Sequence, residues 1–291
     1  MAVVVRRSRR TREALLAYAM LAPLLVVFAI FAYYPFYRII HFALYQKFGN
    51  SDEETFVGLA GVGDVLRGDD FTSGLWITIK FMLYTVPAGL VVGVLLATAA
   101  HRRLKGIKIF QTIFSSTIAS SVAVSSVVFL TLVNKQAGYF QNVGWLDLGT
   151  PGGAMRGVAL SSVWQNVGLT FIIVLAGLQA IPEEVNEAAT LDGYGPVRRF
   201  FRVTVPMISP TLLFLAVILV VQALQAYAQI EILTLGGPQQ STETLLFKIT
   251  ELQGRTDLQT GASMAIGLFL LTLLVSVGQF LMLNRRVHYD N

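Results

Sequence analysis

The side chains that could carry out acid–base, metal or nucleophilic chemistry are few in this sequence and lie far apart. Its three histidines, His41, His101 and His288, fall in different segments, and the chain of 291 residues has no cysteine. No GxxxxGK[ST] pattern occurs, so the chain cannot hold nucleotide phosphates in a P-loop. We therefore expect no catalytic residues, metal or cofactor, and we predict that the chain is not an enzyme.

Polar side chains inside long apolar stretches are the more informative chemical feature. Such residues are costly in lipid unless they face a cavity or a protein partner, so they mark a possible path for a polar solute. The candidates are Ser162, Trp164, Gln165, Asn166, Gln222, Gln225 and Gln229. Hydrogen bonding between helices is the alternative role. It stays open for Asn166 and Gln222, and it is favoured for Gln165, Gln225 and Gln229.

Lys80 is the one charged side chain within any of these apolar stretches. It lies about six residues from one end of its stretch, roughly 9 Å deep in a helix. Its long side chain could carry the ammonium group back to the membrane surface. Alternatively, the cation could attract a solute that bears a phosphate group, which would place Lys80 on the substrate path.

Six apolar stretches position these residues. The chain is 54% hydrophobic and 13% charged, with a mean hydropathy of +0.63, and about 20 apolar residues suffice for a helix to cross a bilayer. The stretches are Ala14–Tyr34, Leu75–Ala100, Ile109–Val133, Val158–Ile181, Val205–Ile230 and Gly261–Leu283. Because lipid offers no hydrogen-bond partners to free backbone groups, each stretch must be helical. The sequence predicts an all-α, polytopic membrane bundle of six transmembrane helices, forming one domain over residues 1–291.

The distribution of lysine and arginine indicates the orientation of this bundle. With the N-terminus in the cytoplasm, the inside segments carry fourteen of these residues and the outside segments seven. This bias predicts a multi-pass membrane protein with both termini cytoplasmic. The net charge of +5 arises from these clusters, so we expect lipid contact and no nucleic-acid partner.

Small residues and prolines predict details of the packing. Gly89 and Gly93 form a GxxxG pair in the second stretch, which allows another helix to approach closely. Pro23, Pro87 and Pro210 lie inside predicted spans and are expected to kink them.

The inside loop between the fourth and fifth stretches has the sequence IPEEVNEAATLDGYGPVRRFFRVTVP. Pro182 suits the first position of a helix, and Gly193 suits its end. Pro196 can begin a second short helix, so the loop predicts a helical hairpin in the cytoplasm. The adjacent Ala188 and Ala189 would give this hairpin a narrow face that fits a groove on a partner.

Several of these segments resemble one transporter family. The run Glu187-Ala188-Ala189, with Asp192-Gly193 and then Val203-Thr204-Val205-Pro206, resembles the EAA loop of ABC-importer permeases. The segments LAPLLVVFAIFAYYPF, VWQNVGLTFIIVLAGLQAIPEE and LTLGGPQQSTETLLFKI resemble the sugar and glycerol-phosphate branch of that family, in its larger-partner type. The short runs TIKF, GPVRRFF and QFLMLNRRVHY are most like those of permeases for glycerol 3-phosphate.

The resemblance implies a type I ABC importer permease fold, with a core five-helix unit over residues 75–284 and a cytoplasmic coupling loop over residues 183–203. The coupling residues would be Glu187, Ala188, Ala189, Asp192 and Gly193. The implied location is the bacterial inner membrane, and the implied partners are a second permease in a heterodimer, a dimer of ATP-binding subunits and an extracytoplasmic solute-binding protein. Relatives often carry a Leu-Pro pair in the third span, which this chain lacks, so we expect a straighter helix there.

The implied substrate is a glycerol phosphate, a glycerophosphodiester or a related carbohydrate, and a di- or oligosaccharide is the alternative. Transferring the sugar contacts of the maltose importer onto this chain places the substrate path at Ser162, Asn166 and Gln222. A secondary transporter is less favoured, because the third to sixth stretches contain no ionisable residue that could couple an ion gradient.

Overall fold

The computed structural model describes residues 2–47, 54–101, 106–136, 138–254 and 257–286. This part of the chain is helical almost throughout, and one short antiparallel pair of strands, β1 (Tyr45–Lys47) and β2 (Glu54–Phe56), joins the first two long helical segments. Of the basic residues that indicated orientation, Arg102, Arg103, Lys105 and Arg255 lie outside the described residues.

The helices follow one another closely along the chain. They are α1 (Ala2–Phe28), α2 (Tyr34–Leu44), α3 (Gly58–Arg67), α4 (Asp69–Ala100), α5 (Ile107–Ser115), α6 (Val122–Val133), α7 (Pro151–Gln179), α8 (Glu183–Leu191), α9 (Pro196–Arg199), α10 (Val205–Met207), α11 (Ser209–Leu224), α12 (Ala228–Leu233), α13 (Leu245–Gly254) and α14 (Leu258–Arg286). A π-helical turn, Ala29–Tyr33, connects α1 and α2. A second π-helical turn, Phe200–Thr204, connects α9 and α10.

Membrane-spanning helices account for most of this architecture. Among the described residues, four helical segments are long and apolar enough to cross a bilayer: Leu16–Leu44, Asp69–Ala100, Pro151–Gln179 and Leu258–Leu281. Two bent pairs, Ile107–Ala119 with Val122–Val133 and Pro196–Met207 with Ser209–Leu224, pass the same test together. When each bent pair is taken as one span, the count is six, in agreement with the all-α bundle predicted from hydropathy.

The third span is sharply bent, so the expectation of a straighter helix was wrong. Its two halves meet at an angle of 107° around Ser120 and Ser121. The first half ends in a 3₁₀ turn, and Ser120 is extended, with a ψ of 136°. Ser121 then caps α6 by accepting a hydrogen bond of 3.2 Å from the Val124 amide. A serine cap satisfies the first amides of a new helix, so this break needs no proline.

The fifth predicted span, Val205–Ile230, is divided in two places. The axis turns by 68° around Ile208, and Pro210 lies in the first turn of α11 instead of kinking a helix interior. Proline is well tolerated there, because the amide it lacks would have no partner within the helix. The helix then ends at Leu224, and α12 begins at Ala228 after three residues that are not helical.

The GxxxG pair brings α4 close to two other helices, as the sequence predicted. A Cβ atom built on Gly93 would lie 2.7 Å from the Thr170 Cβ of α7, and one on Gly89 would lie 3.4 Å from Leu219 of α11. Around this contact, Phe171 and Leu215 are buried in a cluster towards the Ala100 end of α4. Phe81 and Ile230 are buried in a separate cluster. The crossing of α4, α7 and α11 is therefore the centre of the bundle.

Candidate functional site

A cavity of about 330 Å³ lies between α4, α6, α7 and the junction of α11 with α12. Of the four residues predicted for the substrate path, Ser162, Asn166 and Gln222 line it and Lys80 does not. Its polar wall also includes Ser161, Gln165, Gln225 and Gln229. Trp164, another candidate from the sequence, is not among its lining residues and packs against Phe129, with ring centroids 5.7 Å apart.

Two of the carboxamides in this wall are held by other helices. Gln165 Nε2 donates to the Ser120 carbonyl at 2.7 Å, and Gln165 Oε1 accepts from the Ser125 hydroxyl. Gln229 Nε2 donates to Ser162 Oγ at 3.1 Å. These are the hydrogen bonds between elements that the sequence analysis favoured for both glutamines. Gln165 in addition satisfies the carbonyl that the bend in the third span leaves free.

Ser162 and Asn166 differ in what they present to the cavity. Ser162 is buried, and its hydroxyl donates to the Val158 carbonyl at 3.1 Å while accepting from Gln229. Asn166 is half-buried, and its Nδ2 donates to the Ser162 carbonyl at 3.0 Å within the same helix. The Ser162 hydroxyl therefore serves mainly to hold the wall together, and Asn166 faces the cavity more openly.

Gln222 and Gln225 have no hydrogen-bond partner for their carboxamides among the described residues, and both side chains are exposed in the single chain. They flank the end of α11, at the break before α12. For Gln225 the sequence favoured hydrogen bonding between helices, and its carboxamide makes no such bond within the described residues. The hydropathy pattern does not indicate this helix break, because the apolar run continues through it.

Lys80 lies apart from the cavity. Its side chain is exposed, and it is not among the residues that line the cavity. Lys80 Nζ lies 5.2 Å from the centroid of the exposed Trp76 ring, and Tyr84 is exposed one turn further along α4. Tryptophan and tyrosine are enriched at the surfaces of a bilayer. The structure does not bring Lys80 together with the other path residues, and the position of the ammonium group beside Trp76 is compatible with its predicted return to the membrane surface.

An ion cluster around the buried Lys248 lies at the opposite end of α4 from the hairpin and was not predicted from the sequence. Lys248 is 8% exposed, and its Nζ lies 2.9 Å from Ser73 Oγ, 3.2 Å from Asp70 Oδ1 and 3.7 Å from Glu243 Oε2. Burial raises the pKa of Glu243, and the nearby Lys248 opposes that rise. These contacts connect α13 and the loop before it to the first turns of α4.

The loop between α7 and α11 folds into the helical hairpin that the sequence predicted, with small differences. Pro182 immediately precedes α8 instead of occupying its first position. Gly193 has a φ of +75°, a conformation that glycine adopts readily, and the Tyr194 amide donates to the Ala189 carbonyl at 3.0 Å. Pro196 then begins α9. The hairpin thus closes through a glycine helix stop.

The two adjacent alanines of the hairpin do not share a face, which corrects the expectation of a narrow face built from both. Ala189 is 5% exposed and packs inside the hairpin, whereas Ala188 is exposed. Successive residues of a helix point about 100° apart, which allows Ala189 to be buried while Ala188 is exposed. The outer surface of the hairpin also carries the exposed Glu187, Leu191 and Asp192.

Comparison with known proteins places this arrangement in a family. The sequence model of the "Binding-protein-dependent transport system inner membrane component" matches residues 89–289. The sn-glycerol-3-phosphate transport system permease protein UgpA of Yersinia enterocolitica is 36% identical over 251 residues, which cover 84% of each chain. The protein of the same name from Brucella suis is 32% identical over 261 residues, covering 85% of this chain and 89% of its own.

Solved structures share the fold. A chain from the crystal structure of the bacterial alginate ABC transporter, in complex with an alginate pentasaccharide-bound periplasmic protein, superposes with a TM-score of 0.80 at 20% identity. That match covers 95% of this chain and 96% of the other. A chain of the MetNI methionine ABC transporter gives a TM-score of 0.55 at 14% identity, covering 75% of this chain and 96% of its own. Together with the hairpin and the relatives, these comparisons show that the chain belongs to the binding-protein-dependent transport inner-membrane components, the permease subunits of ABC importers, and is a transport subunit and not the ATPase.

Proposed function

We propose that this permease subunit forms half of the translocation path for a glycerol phosphate or glycerophosphodiester. The observation that carries the substrate class is the likeness to glycerol-3-phosphate permeases, at 32–36% identity over 84% or more of this chain. A di- or oligosaccharide remains the alternative substrate, and the likeness to an alginate transporter bears on the fold alone at 20% identity.

The path itself runs through the polar cavity. Asn166 and Gln222 contact the substrate, and Ser162 supports the wall behind them by accepting from Gln229. Because Gln222 is exposed in the single chain, the second permease of the heterodimer covers the open side of the cavity. The family match begins at residue 89, which supports a core unit over residues 75–284 with the first long helix outside it.

The hairpin couples this path to the ATPase. The exposed Ala188 and Leu191 of α8 and Val197 of α9 form an apolar surface bordered by the acids Glu187 and Asp192. Docked in a groove of an ATP-binding subunit, this surface transmits the closure of the ATPase dimer to α7 and α11, the helices on either side of the hairpin. Gly193 sets the turn between α8 and α9 that gives the surface its shape.

The orientation follows from the charge bias, with both termini and the hairpin in the cytoplasm and the solute-binding protein on the other side. Tyr139, in the loop after α6, is 92% exposed, and Gly195 is exposed in the hairpin. A cysteine at Tyr139 should react with a membrane-impermeant maleimide in spheroplasts, and one at Gly195 should react only after the membrane is opened. Since the chain has no cysteine of its own, the background is clean. The opposite labelling pattern would overturn the orientation.

Uptake by the reconstituted complex tests the substrate. The chain is placed in proteoliposomes with the second permease, the ATPase and the binding protein, and ATP is enclosed on the hairpin side. We expect ATP-dependent and binding-protein-dependent uptake of radiolabelled glycerol 3-phosphate, with little uptake of maltose. Uptake of maltose alone would favour the oligosaccharide alternative, and uptake of either solute without ATP would contradict an ATP-driven importer.

A further inference from the structure

The glutamines of the cavity fall into two groups by their hydrogen bonds. Gln165 and Gln229 are each tied to another element through a bond that their Nε2 donates, at 2.7 Å and 3.1 Å. Gln222 and Gln225 line the same cavity with no partner for either carboxamide within the described chain. A carboxamide can donate two hydrogen bonds and accept two more. Among the carboxamides of the wall, these two therefore keep their whole hydrogen-bonding capacity for a polar solute.

The backbone next to them leaves the helical conformation where it borders the cavity. After α11 ends, the Gln225 and Ala226 amides make only short-range bonds, to the Val221 carbonyl at 3.1 Å and the Ala223 carbonyl at 3.3 Å. The Ala226 carbonyl is held from outside by the Thr244 hydroxyl at 3.0 Å. Non-helical backbone at membrane depth is tolerated where protein buries it or where it lines a cavity, and broken helices often mark the solute site of a transporter.

The electrostatics of the cavity restrict what it can bind. All the side chains that line it are uncharged. Several cations elsewhere in the described chain are engaged: Lys248 with Asp70 and Glu243, and Lys135 with Asp147 at 2.7 Å. Lys80 lies over Trp76, away from the cavity. A phosphate dianion removed from water without a cation carries a large cost, whereas hydroxyl groups are well matched by carboxamides.

We infer that this chain binds the uncharged, hydroxyl-bearing part of the substrate through Gln222 and Gln225, and that the phosphate group lies outside the cavity that this chain lines. This inference rests on the proposed function for its substrate. It adds Gln225 to the predicted path and separates the site of the hydroxyl groups from the site of the phosphate group.

Paired substitutions test this division. Gln222→Leu and Gln225→Leu remove the hydrogen-bonding group, whereas Gln222→Glu and Gln225→Glu keep its size and its acceptors but add a negative charge. Each variant is reconstituted with wild-type partners, and uptake of radiolabelled glycerol 3-phosphate is measured at pH 8, far above the usual pKa of about 4.3 for a glutamate. Gln141, exposed in the loop after α6, receives the same two substitutions as a matched control.

We expect the Leu variants to lower uptake by about tenfold or more, as the loss of one or two hydrogen bonds to the substrate would. The Glu variants should stay within about threefold of the wild type, because a carboxylate accepts from hydroxyl groups. The Gln141 variants should match the wild type. Binding-protein-stimulated ATP hydrolysis, measured in parallel, confirms that each complex has assembled.

Two results would overturn the inference. If the Glu variants lose as much uptake as the Leu variants, the added charge repels a phosphate group inside this cavity. If the Leu variants transport normally, the free carboxamides do not contact the substrate. A wild-type complex that imports a neutral sugar instead of glycerol 3-phosphate would refute the proposed substrate, and the Leu variants assayed with that sugar would still decide whether these carboxamides bind hydroxyl groups.

Discussion

Replacing Gln165 should destabilise the complex, because this side chain holds the bend of the third span against α7. Gln165→Leu removes two hydrogen bonds, one to the Ser120 carbonyl at 2.7 Å and one from the Ser125 hydroxyl. The single Ser125 hydroxyl proton can turn to the Ser121 carbonyl, which lies at 3.0 Å, so Ser120 is the group that is left without a partner. Hydrogen bonds between membrane helices contribute about 0.6–1.7 kcal/mol each, which gives a loss of about 1–3 kcal/mol.

A second substitution tests the same contact by crowding it. The Gly168 amide donates to Thr117 Oγ1 at 2.7 Å, and a Cβ atom on Gly168 would lie 2.5 Å from that oxygen and 2.8 Å from the Ile118 amide nitrogen. The Ile118 nitrogen belongs to the backbone and cannot rotate away. Gly168→Ala should therefore also be destabilising, by about 1–3 kcal/mol for an overpacked site.

Thermal unfolding of the purified complex in detergent provides the assay. A loss of 1–3 kcal/mol should lower the midpoint for Gln165→Leu and Gly168→Ala by at least about 2 °C, given the usual scaling for domains of this size. Gln222→Leu is the matched control, since it makes the same chemical change in the same cavity where no hydrogen bond is lost. If Gln165→Leu and Gln222→Leu have equal midpoints, Gln165 does not hold the bend and this reasoning is refuted.

Two further predictions concern the charged residues of α4 and α13. Lys80→Asn should leave uptake of glycerol 3-phosphate within about twofold of the wild type, because the ammonium group lies over Trp76 and outside the cavity. A loss of uptake as large as that of Gln222→Leu would show that Lys80 belongs to the substrate path. Lys248→Met should lower the unfolding midpoint more than Asp70→Asn does. Lys248 is 8% exposed, and its loss leaves the half-buried Glu243 without its cation. Breaking a buried ion pair in this way costs about 3–5 kcal/mol. A Lys248→Met midpoint equal to that of the wild type would show that the cluster adds no stability.

The spans and the hairpin could be predicted from the sequence because both depend on local features. Long apolar runs fix where helices cross, and Gly193 and Pro196 fix where the hairpin turns. The family motif lies on this hairpin, so the functional class could be predicted from the sequence as well. The pairing of Ser162, Asn166 and Gln222 around one cavity also followed from the resemblance.

The breaks inside the spans could not be predicted, since distant residues stabilise them. Gln165 reaches the Ser120 carbonyl from 45 positions away, and Thr244 reaches the Ala226 carbonyl from 18 positions away. Hydropathy continues through both breaks, so it gives no signal there. The cluster around Lys248 could not be predicted for the same reason, because its partners Asp70 and Ser73 lie 178 and 175 positions away in the sequence.

Coupling through the hairpin is the central functional claim, and Ala188 offers the most direct test. Ala188 is exposed, whereas Ala189 is buried within the hairpin, so Ala188→Leu adds volume at the partner surface without disturbing the hairpin itself. Ala188→Ser, which changes the volume little, is the control. Overpacking a docked interface costs about 1–3 kcal/mol, which corresponds to a roughly 5- to 150-fold weaker association.

The measurement is solute transported per ATP hydrolysed in proteoliposomes, together with the amount of ATPase that co-purifies with the permease pair. For Ala188→Leu we expect a several-fold fall in one or both quantities, with the Ala188→Ser complex equal to the wild type. An Ala188→Leu complex that retains its ATPase and transports as many molecules per ATP as the wild type would contradict the account.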